Sequence, residues 1–408
     1  MDLTVVIVFA FVYVGMIWGK YPQLKLDRTG IALLGAIALL ATGHISLTDA
    51  WGAVDVSTVA LLLGLMVVSA QFRLGGFYAA LTRRIAALEV SPPALLALVT
   101  GVAGLLSAVL INDIVCLAMA PLLIEGCNRR QLNPVPYLLA LACAANVGSA
   151  LTLIGNPQNI LIGQTLHLSF SGYLLDSCVP VVLGLAAVWL VVCARFRGRW
   201  HTAALAPHVA TSPLNAWQAG KGLALLGALV AAFLFSPWPR EVLALAAAGV
   251  LLLSMRMASR TMLGLIDWHL LVLFCGLFVV NRVLVTSGSL AEIMRAVAAA
   301  GVNVRAPAWL FAVTVALSNL VSNVPATMLL LPAASHPQAG PILALASTLA
   351  GNLFIVGSIA NIIVVDQADR MHVRITWLEH AKVGLPVTVL TLAFAAGWLW
   401  VRGQMLPG

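Results

Sequence analysis

Charged residues are scarce in this sequence. Asp, Glu, Lys and Arg together make up 9% of its 408 residues, whereas 62% are hydrophobic. A soluble domain has about 25% charged residues, so the scarcity excludes an ordinary soluble protein. Segments of alternating polarity, which mark outer-membrane strands, do not dominate either. The composition therefore predicts an all-α polytopic membrane protein.

Several chemical motifs are also missing. The six cysteines are scattered without a CxxC pair, and the histidines are isolated from one another. No HExxH or GxSxG pattern indicates an enzyme, and no Walker A pattern indicates an ATPase. We therefore predict no cofactor, no metal site and no enzymatic activity. The net charge of +8 does not form a basic nucleic-acid face, so the lipid bilayer is the predicted partner and nucleic acid is not.

What the sequence does have is a series of long apolar runs. About 20 apolar residues are needed to cross a bilayer core. The predicted full spans are 3–19, 29–43, 58–72, 172–194, 217–236, 241–255, 268–285 and 382–401, and two further spans, 135–166 and 340–365, are interrupted.

Residues 93–125 differ from these runs because polar residues divide them. Two apolar stretches, each short for a full span, meet at Asn112-Asp113. An ionisable residue inside the membrane is by default a functional hypothesis, because it is costly there. We predict a re-entrant helical hairpin with these two residues at its tip, packed in protein or lining a cavity. The alternative is a kinked span with a satisfied polar pair.

The chain repeats itself in order, at distances of 202 to 212 positions. The matched pairs are Val54–Val68 with Ile266–Val280, Ser107 with Ser318, Asn112 with Asn323, and Gly155–Asn159 with Gly357–Asn361. The second hairpin is thereby placed at 307–335. An ordered series of matches favours a true internal repeat over chance.

The repeat predicts how the chain is divided. The first repeat covers 1–194, a cytoplasmic linker covers 195–214, and the second repeat covers 215–408. Each repeat has five spans and one hairpin. Because five is odd, the second repeat enters the membrane in the opposite orientation, and such inverted repeats are typical of secondary transporters.

The interrupted spans face the two hairpin tips. The first break, Gly155–Asn159, contains a proline and three amides, and Gly357–Asn361 is its weaker counterpart. The N-termini of broken helices favour anions, and unwound carbonyls suit Na⁺. We hypothesise a central anion with one cation site per hairpin; the alternative is that the amides only stabilise breaks in a packed core. The predicted substrate-binding residues are Asn112, Asp113, Asn156, Pro157, Gln158, Asn159, Ser322, Asn323, Val324, Ser358 and Asn361.

Asp113 has no counterpart, because Val324 stands at the matching position. An ionised carboxylate would repel a bound anion. Asp113 therefore carries a proton, binds the coupling cation or caps a helix, and the sequence leaves these three roles open. We expect Asn146, Ser149 and Thr152, which precede the first break, to complete its lining.

Basic residues predict the topology. With Lys20, Lys25 and Arg28 placed inside, all but five of the 22 basic residues also fall inside, as the positive-inside rule requires. The five exceptions are Arg240, Arg282, Arg295, Arg305 and Arg402. We predict a multi-pass protein of a bacterial-type inner membrane with both termini on the periplasmic or extracellular side.

The two tips and two breaks resemble the ion-transporter superfamily. This group contains divalent-anion:sodium symporters, citrate transporters, arsenite efflux permeases and one class of sodium/proton antiporter. Each symporter tip reads Ser-Asn-Thr, and the matching triplets here are Ile111-Asn112-Asp113 and Ser322-Asn323-Val324. Asn is kept in both triplets and Thr in neither, and an Asn-Asp tip is closer to the arsenite permeases.

The resemblance implies further roles. A serine four positions before each triplet helps to bind sodium in the symporters, and Ser107 and Ser318 stand there. It also implies an elevator-type movement, often in a homodimer. The predicted coupling-ion residues are Ser107, Asn112, Asp113, Gly155, Ser318, Asn323 and Gly357.

Together these observations predict a secondary active transporter. It would move a small inorganic or carboxylate anion by alternating access, coupled to Na⁺ or H⁺. The alternatives are a proton-driven arsenite or metalloid efflux permease and a sodium/proton antiporter. An embedded enzyme and a channel are further alternatives, and concentrative uptake separates a transporter from a channel.

Overall fold

The computed structural model describes residues 2–19, 25–202, 213–254 and 256–405, and these residues are mostly α-helical with no β-sheet. The helices are α1 Leu3–Trp18, α2 Arg28–Ala41, α3 Leu47–Ala53, α4 Val56–Leu74, α5 Phe77–Ala86, α6 Pro92–Val109, α7 Asn112–Arg129, α8 Val135–Ser149, α9 Pro157–Thr165, α10 Phe170–Arg195, α11 Ala216–Phe235, α12 Arg240–Leu252, α13 Ser259–Leu263, α14 Trp268–Thr286, α15 Ser289–Ala299, α16 Pro307–Val321, α17 Asn323–Leu330, α18 Ala339–Ala350, α19 Ile359–Arg370 and α20 Trp377–Met405. Of the predicted linker 195–214, residues 203–212 lie outside the described part of the chain.

Six of the described helices are long and apolar enough to cross a membrane, judged by length and composition. They are α4, α6, α10, α11, α14 and α20. Shorter apolar helices, including α1, α2, α8, α16 and α18, accompany them. Helix α6 is long enough to cross the membrane by itself, so the assignment of α6 and α7 to a hairpin depends on where the ends of these two helices lie.

Aspartates begin two of the long helices. Asp55 caps α4 by accepting a 3.0 Å hydrogen bond from the Thr58 N–H. Asp267 caps α14 in the same way through the Leu270 N–H, also at 3.0 Å. An Asp directly before an apolar run is a typical N-cap, so the sequence around Asp55 and Asp267 predicts both caps, and the structure confirms them.

Helices α6 and α7 form a hairpin. Only Leu110 and Ile111 separate them, both in extended conformation. At the far end of α7, Arg130 donates 2.7 Å hydrogen bonds to the carbonyls of Leu88 and Val90, which precede α6. Because the start of α6 and the end of α7 meet, the two helices run antiparallel.

Helices α16 and α17 have the same arrangement. A cavity of about 500 Å³ is lined both by Val304 and Arg305, which precede α16, and by Pro332 and Ala333, which follow α17. Only Ser322 separates the two helices. The chain therefore enters and leaves this second hairpin on one side.

The two interrupted helices break earlier than predicted. The first break spans residues 150–156, between α8 and α9, and the second spans 351–358, between α18 and α19. Pro157, Gln158 and Asn159 belong to the first turn of α9, so their assignment to the break was wrong. Proline is well tolerated at the first helical position, where its missing N–H would have had no partner.

Two helix pairs pack across the chain at glycines. A Cβ on Gly64 of α4 would lie 2.7 Å from the backbone of Ala244 in α12. A Cβ on Gly276 of α14 would lie 2.8 Å from the backbone of Ala32 in α2. Because these positions are glycines, the backbones of α4 and α12 can come into contact, and so can those of α14 and α2.

Candidate transport site

Asn146 in α8 is the centre of a buried amide cluster. Its side-chain oxygen accepts hydrogen bonds from Asn112 at 3.2 Å and from Ser358 at 2.8 Å. Its side-chain nitrogen donates to Asn352 at 2.9 Å and to Asn361 at 3.1 Å. All four hydrogen-bonding positions of this amide are thereby used. One residue joins the tip of the first hairpin to the break between α18 and α19.

Thr348 in α18 is the centre of a second cluster, and it stands 202 positions after Asn146. Its hydroxyl accepts 3.2 Å hydrogen bonds from Asn156 and Gln158 and donates to Asn159 at 3.3 Å. Thr348 therefore reaches the first break just as Asn146 reaches the second. Each interrupted helix is held by the other.

The two breaks are closed by equivalent bonds. Asn159 donates to the carbonyls of Ser149 at 3.4 Å and Thr152 at 3.0 Å. Asn361 donates to the two carbonyls 202 positions further along, at 2.8 and 3.1 Å. Asn156 caps α9 and Ser358 caps α19 with their side-chain oxygens. These residues stabilise the two breaks, as the alternative to ligand binding in the sequence analysis predicts. They also place the N-termini of two helices at the centre.

Both hairpins also contain buried oxygens without a partner. Among the described residues, the hydroxyls of Ser107 and Ser318 neither donate nor accept a hydrogen bond, and the amide oxygens of Asn112 and Asn323 accept none. All four side chains are at most 9% exposed. A buried polar group without a partner costs about 1–3 kcal/mol, so these oxygens are suited to a ligand.

Two glycines lie directly against the tips. A Cβ on Gly155 would be 2.7 Å from the carbonyl oxygen of Ser107 and 2.3 Å from that of Ser149. A Cβ on Gly357 would be 3.2 Å from the amide oxygen of Asn319, which is also without a partner among the described residues. Gly155 thus lies against the first tip, where its carbonyl also accepts a 3.2 Å hydrogen bond from the Asn112 N–H, and Gly357 lies against Asn319, the neighbour of Ser318.

The two tips differ in their backbones. Ser322 joins α16 to α17 at φ 77° and ψ 160°, a region that residues other than glycine rarely enter. Its counterpart Ile111 has φ −61° and ψ 122°, which is ordinary extended backbone. The tip of the second hairpin is therefore strained, whereas the first is not.

Asp113 lies in the first turn of α7 and is half-buried. Its carboxylate has no hydrogen-bond or ion-pair partner among the described residues. The positive end of a helix favours a carboxylate, and Asp113 directly follows Asn112, whose amide donates to Asn146. Val324, at the matching position of α17, is buried.

Two cluster residues were not singled out from the sequence. Thr348 could have been found, because it stands at the repeat distance from Asn146. Asn352 had no such signal, since Ala150 occupies the matching position. Both residues become functional candidates only through the contacts of the folded chain.

Comparisons with known proteins find relatives over most of the chain. The profile of the citrate transporter family, CitMHS, matches residues 13–350. A transporter of Mycobacterium tuberculosis of uncharacterised activity is 30% identical over 407 residues, 93% of this chain and 94% of that protein. The silicon efflux transporter LSI3 of rice, Oryza sativa subsp. japonica, is 28% identical over 470 residues, 95% of each chain.

A solved structure shares the fold. The crystal structure of the YdaH transporter of Alcanivorax borkumensis aligns with a TM-score of 0.62 at 16% identity, and the alignment covers 98% of this chain and 97% of that one. The helical architecture therefore has the same fold as the YdaH transporter.

Proposed function

This chain belongs to the citrate transporter family, and on that basis we propose that it is a secondary active transporter of a small anion. Its membership makes it a membrane transporter. The observation that carries the proposal is the set of unpaired oxygens at the tips, which comprises Ser107 and Asn112 in one hairpin and Ser318 and Asn323 in the other. Hydroxyl and amide oxygens suit small hard cations. Na⁺ bound at the tips would couple the solute to the sodium gradient.

Equivalent contacts support an inverted repeat. The Gly64–Ala244 and Gly276–Ala32 contacts join positions that are each 212 apart. Each repeat thus contributes one helix to each pair, as a two-fold axis between the repeats would produce. In the proposed cycle the scaffold contains these pairs, and the hairpins with the interrupted helices move against it.

Helix N-termini support an anion at the centre. Asn156 and Ser358 are the N-caps of α9 and α19, and α7 and α17 begin at the two tips. Free N–H groups and positive dipole ends attract negative charge. Amide side chains around them can donate to oxygens of the solute. We place the protein in a bacterial-type inner membrane with both termini outside, as the distribution of arginines and lysines indicates.

The test is the thermal stability of the purified protein across a panel of solutes. The panel contains sulfate, phosphate, citrate, succinate, arsenite and silicic acid, each with Na⁺ or with choline. A ligand that binds only the folded state stabilises it by about 1–3 kcal/mol near saturation. We expect one anion to stabilise the protein more in Na⁺ than in choline, and Asn112→Ala or Asn323→Ala to remove that difference. Exposed Gln404→Ala is the control.

The rice relative favours a second candidate. That protein is named a silicon efflux transporter, and a centre made of amides and hydroxyls suits a neutral oxyacid as well as an anion. In that case Asp113 would carry the coupling proton. Stabilisation by silicic acid or arsenite alone, independent of Na⁺ and lost in Asp113→Asn, would favour this efflux permease. Stabilisation by Na⁺ alone that needs Asp113 would favour a sodium/proton antiporter.

A further inference from the structure

Contacts at the rim join α12 to the end of α9. Arg240, the first residue of α12, donates a hydrogen bond to the carbonyl of Leu168 just beyond α9. Gln164 in α9 donates to the carboxylate of Glu241 at 3.2 Å. We call these four residues the outer latch, since Arg240 is one of the few arginines assigned to the outer side. The latch borders a cavity of about 680 Å³.

Arg28 is the counterpart of Arg240 in the first repeat, on the opposite side of the membrane. Arg28 begins α2 and stands 212 positions before Arg240. The neighbouring contact is also repeated: Ser57 donates to Glu241 at 3.2 Å, and Thr29 donates to the carbonyl of His269 at 3.1 Å. Thr29 and His269 are the matching positions of Glu241 and Ser57. Arg28 therefore has the same place at the start of α2 as Arg240 has at the start of α12.

Two acids occupy the matching positions in α19. Asp366 stands 202 positions after Gln164, and Asp369 stands 202 positions after His167. Both acids are exposed and line a cavity of about 390 Å³. Leu168 and Glu241 of the outer latch correspond to Arg370 and Thr29, so the inner region differs in chemistry: it offers Arg28 two carboxylates in place of a backbone carbonyl. A hydrogen bond in which both partners carry charge is stronger than one to a neutral carbonyl.

These residues do not meet in this structure. The Nε group of Arg28 is buried without a hydrogen-bond partner among the described residues. Asp366 instead pairs with Arg370 on its own helix at 2.9 Å.

The surrounding helices are separated as well. Helix α9 packs against α4, and every residue from Pro157 to Gly163 is buried. Within the described chain α19 makes no comparable contact with α14, the counterpart of α4. Ile359 and Ile362 of α19 are 36% and 38% exposed. Helix α9 is therefore packed against α4 at the outer latch, whereas α19 is not packed in the same way against α14 at the matching inner position.

We propose that Arg28, Asp366 and Asp369 form an inner latch that closes when the outer latch opens. The proposal rests on the alternating access proposed above and assigns new residues to it. In the opposite conformation α19 approaches α2 and α14 as α9 now approaches α12 and α4. Arg28 then gains the partner that it lacks here, and the ion pair stabilises the outward-open state. The two latches exclude one another because both involve the same moving unit.

Two matched cysteine pairs test the proposal. Gln164→Cys with Glu241→Cys joins side chains that touch in this structure. Thr29→Cys with Asp366→Cys joins their counterparts and leaves Arg28 and Asp369 in place. A short bismaleimide is applied to membranes, and the linker is then cleaved at an inserted protease site. The two halves of the chain separate on a denaturing gel unless they are cross-linked. The parent chain with its native cysteines gives the background.

We expect both pairs to cross-link, and Arg28→Gln to lower the yield of the inner pair by about threefold, the bias that a half-exposed ion pair can give. Arg28→Lys should retain most of that yield, and Arg240→Gln should raise it. Size-exclusion chromatography verifies that each variant is folded. Absence of the inner cross-link, or indifference of its yield to Arg28→Gln, would overturn the inner latch. If solute still changed the cross-linking yield of the outer pair, alternating access would remain supported without the inner latch. If solute did not change that yield, both proposals would be refuted.

Discussion

Replacing Asn146 should destabilise the protein strongly. The side chain is 1% exposed and makes four hydrogen bonds, with Asn112, Ser358, Asn352 and Asn361. Hydrogen bonds between membrane helices contribute about 0.6 kcal/mol each, and those in soluble cores contribute about 1 kcal/mol. Asn146→Ala should therefore lower the free energy of unfolding by about 2–4 kcal/mol.

Asn146→Asp tests the hydrogen bonds of this side chain without a change in its size. The side chain keeps its size, but both donors are lost, and the new carboxylate faces the oxygens of Asn352 and Asn361. Asn361 cannot turn its amide over to compensate, because its nitrogen already donates to two carbonyls at 2.8 and 3.1 Å. We therefore expect Asn146→Asp to be at least as destabilising as Asn146→Ala.

The assay is reversible denaturant titration of the purified protein, followed by tryptophan fluorescence. Exposed Gln404→Ala is the control and should stay within about 0.5 kcal/mol of the parent. If both Asn146 variants also stayed within that range, the amide cluster would not hold the hairpin tip to the second break, and the reasoning would be refuted.

Three further predictions follow from backbone geometry, and the same titration tests them. Ser322→Gly should stabilise the protein by about 1 kcal/mol, because glycine tolerates φ 77°; Ser322→Ala should give no gain, and a gain from Ala would contradict strain as the cause. Gly155→Ala should cost more than about 2 kcal/mol, since its Cβ would lie 2.3 Å from a carbonyl oxygen, whereas Gly227→Ala in open space should be neutral or stabilising. Gly64→Ala and Gly276→Ala should destabilise by similar amounts, because each Cβ would meet the backbone of the partner helix at 2.7–2.8 Å; a large difference would argue against equivalent crossings.

Local signals in the sequence predicted the parts of the fold that depend on local chemistry. Asp55 and Asp267 cap their helices because a carboxylate before an apolar run satisfies free N–H groups. Pro157 misplaced the first break, because proline ends a helix in its interior but begins one at the first position. The short helices α3, α13 and α15 were missed, since a hydropathy reading detects only long apolar runs.

The site depended more on the folded chain. Polar residues predicted at the tips and breaks do lie there. They could be predicted because several of them have a matching polar residue at the repeat distance. Thr348 in an apolar helix gives no local signal of its contact with Asn156, which is made across the two halves of the chain. The strain at Ser322 is likewise set by closure of the hairpin and not by its own residue type.

The most direct test of the account is transport into proteoliposomes. The solute is the one that stabilises the protein in the panel above, and the only driving force is an imposed Na⁺ or H⁺ gradient. The account predicts accumulation above the external concentration, collapse when an ionophore removes the gradient, and loss of accumulation in Asn323→Ala but not in Gln404→Ala. Equilibration without accumulation would contradict a secondary active transporter, and full accumulation in Asn323→Ala would contradict a coupling site at the hairpin tips.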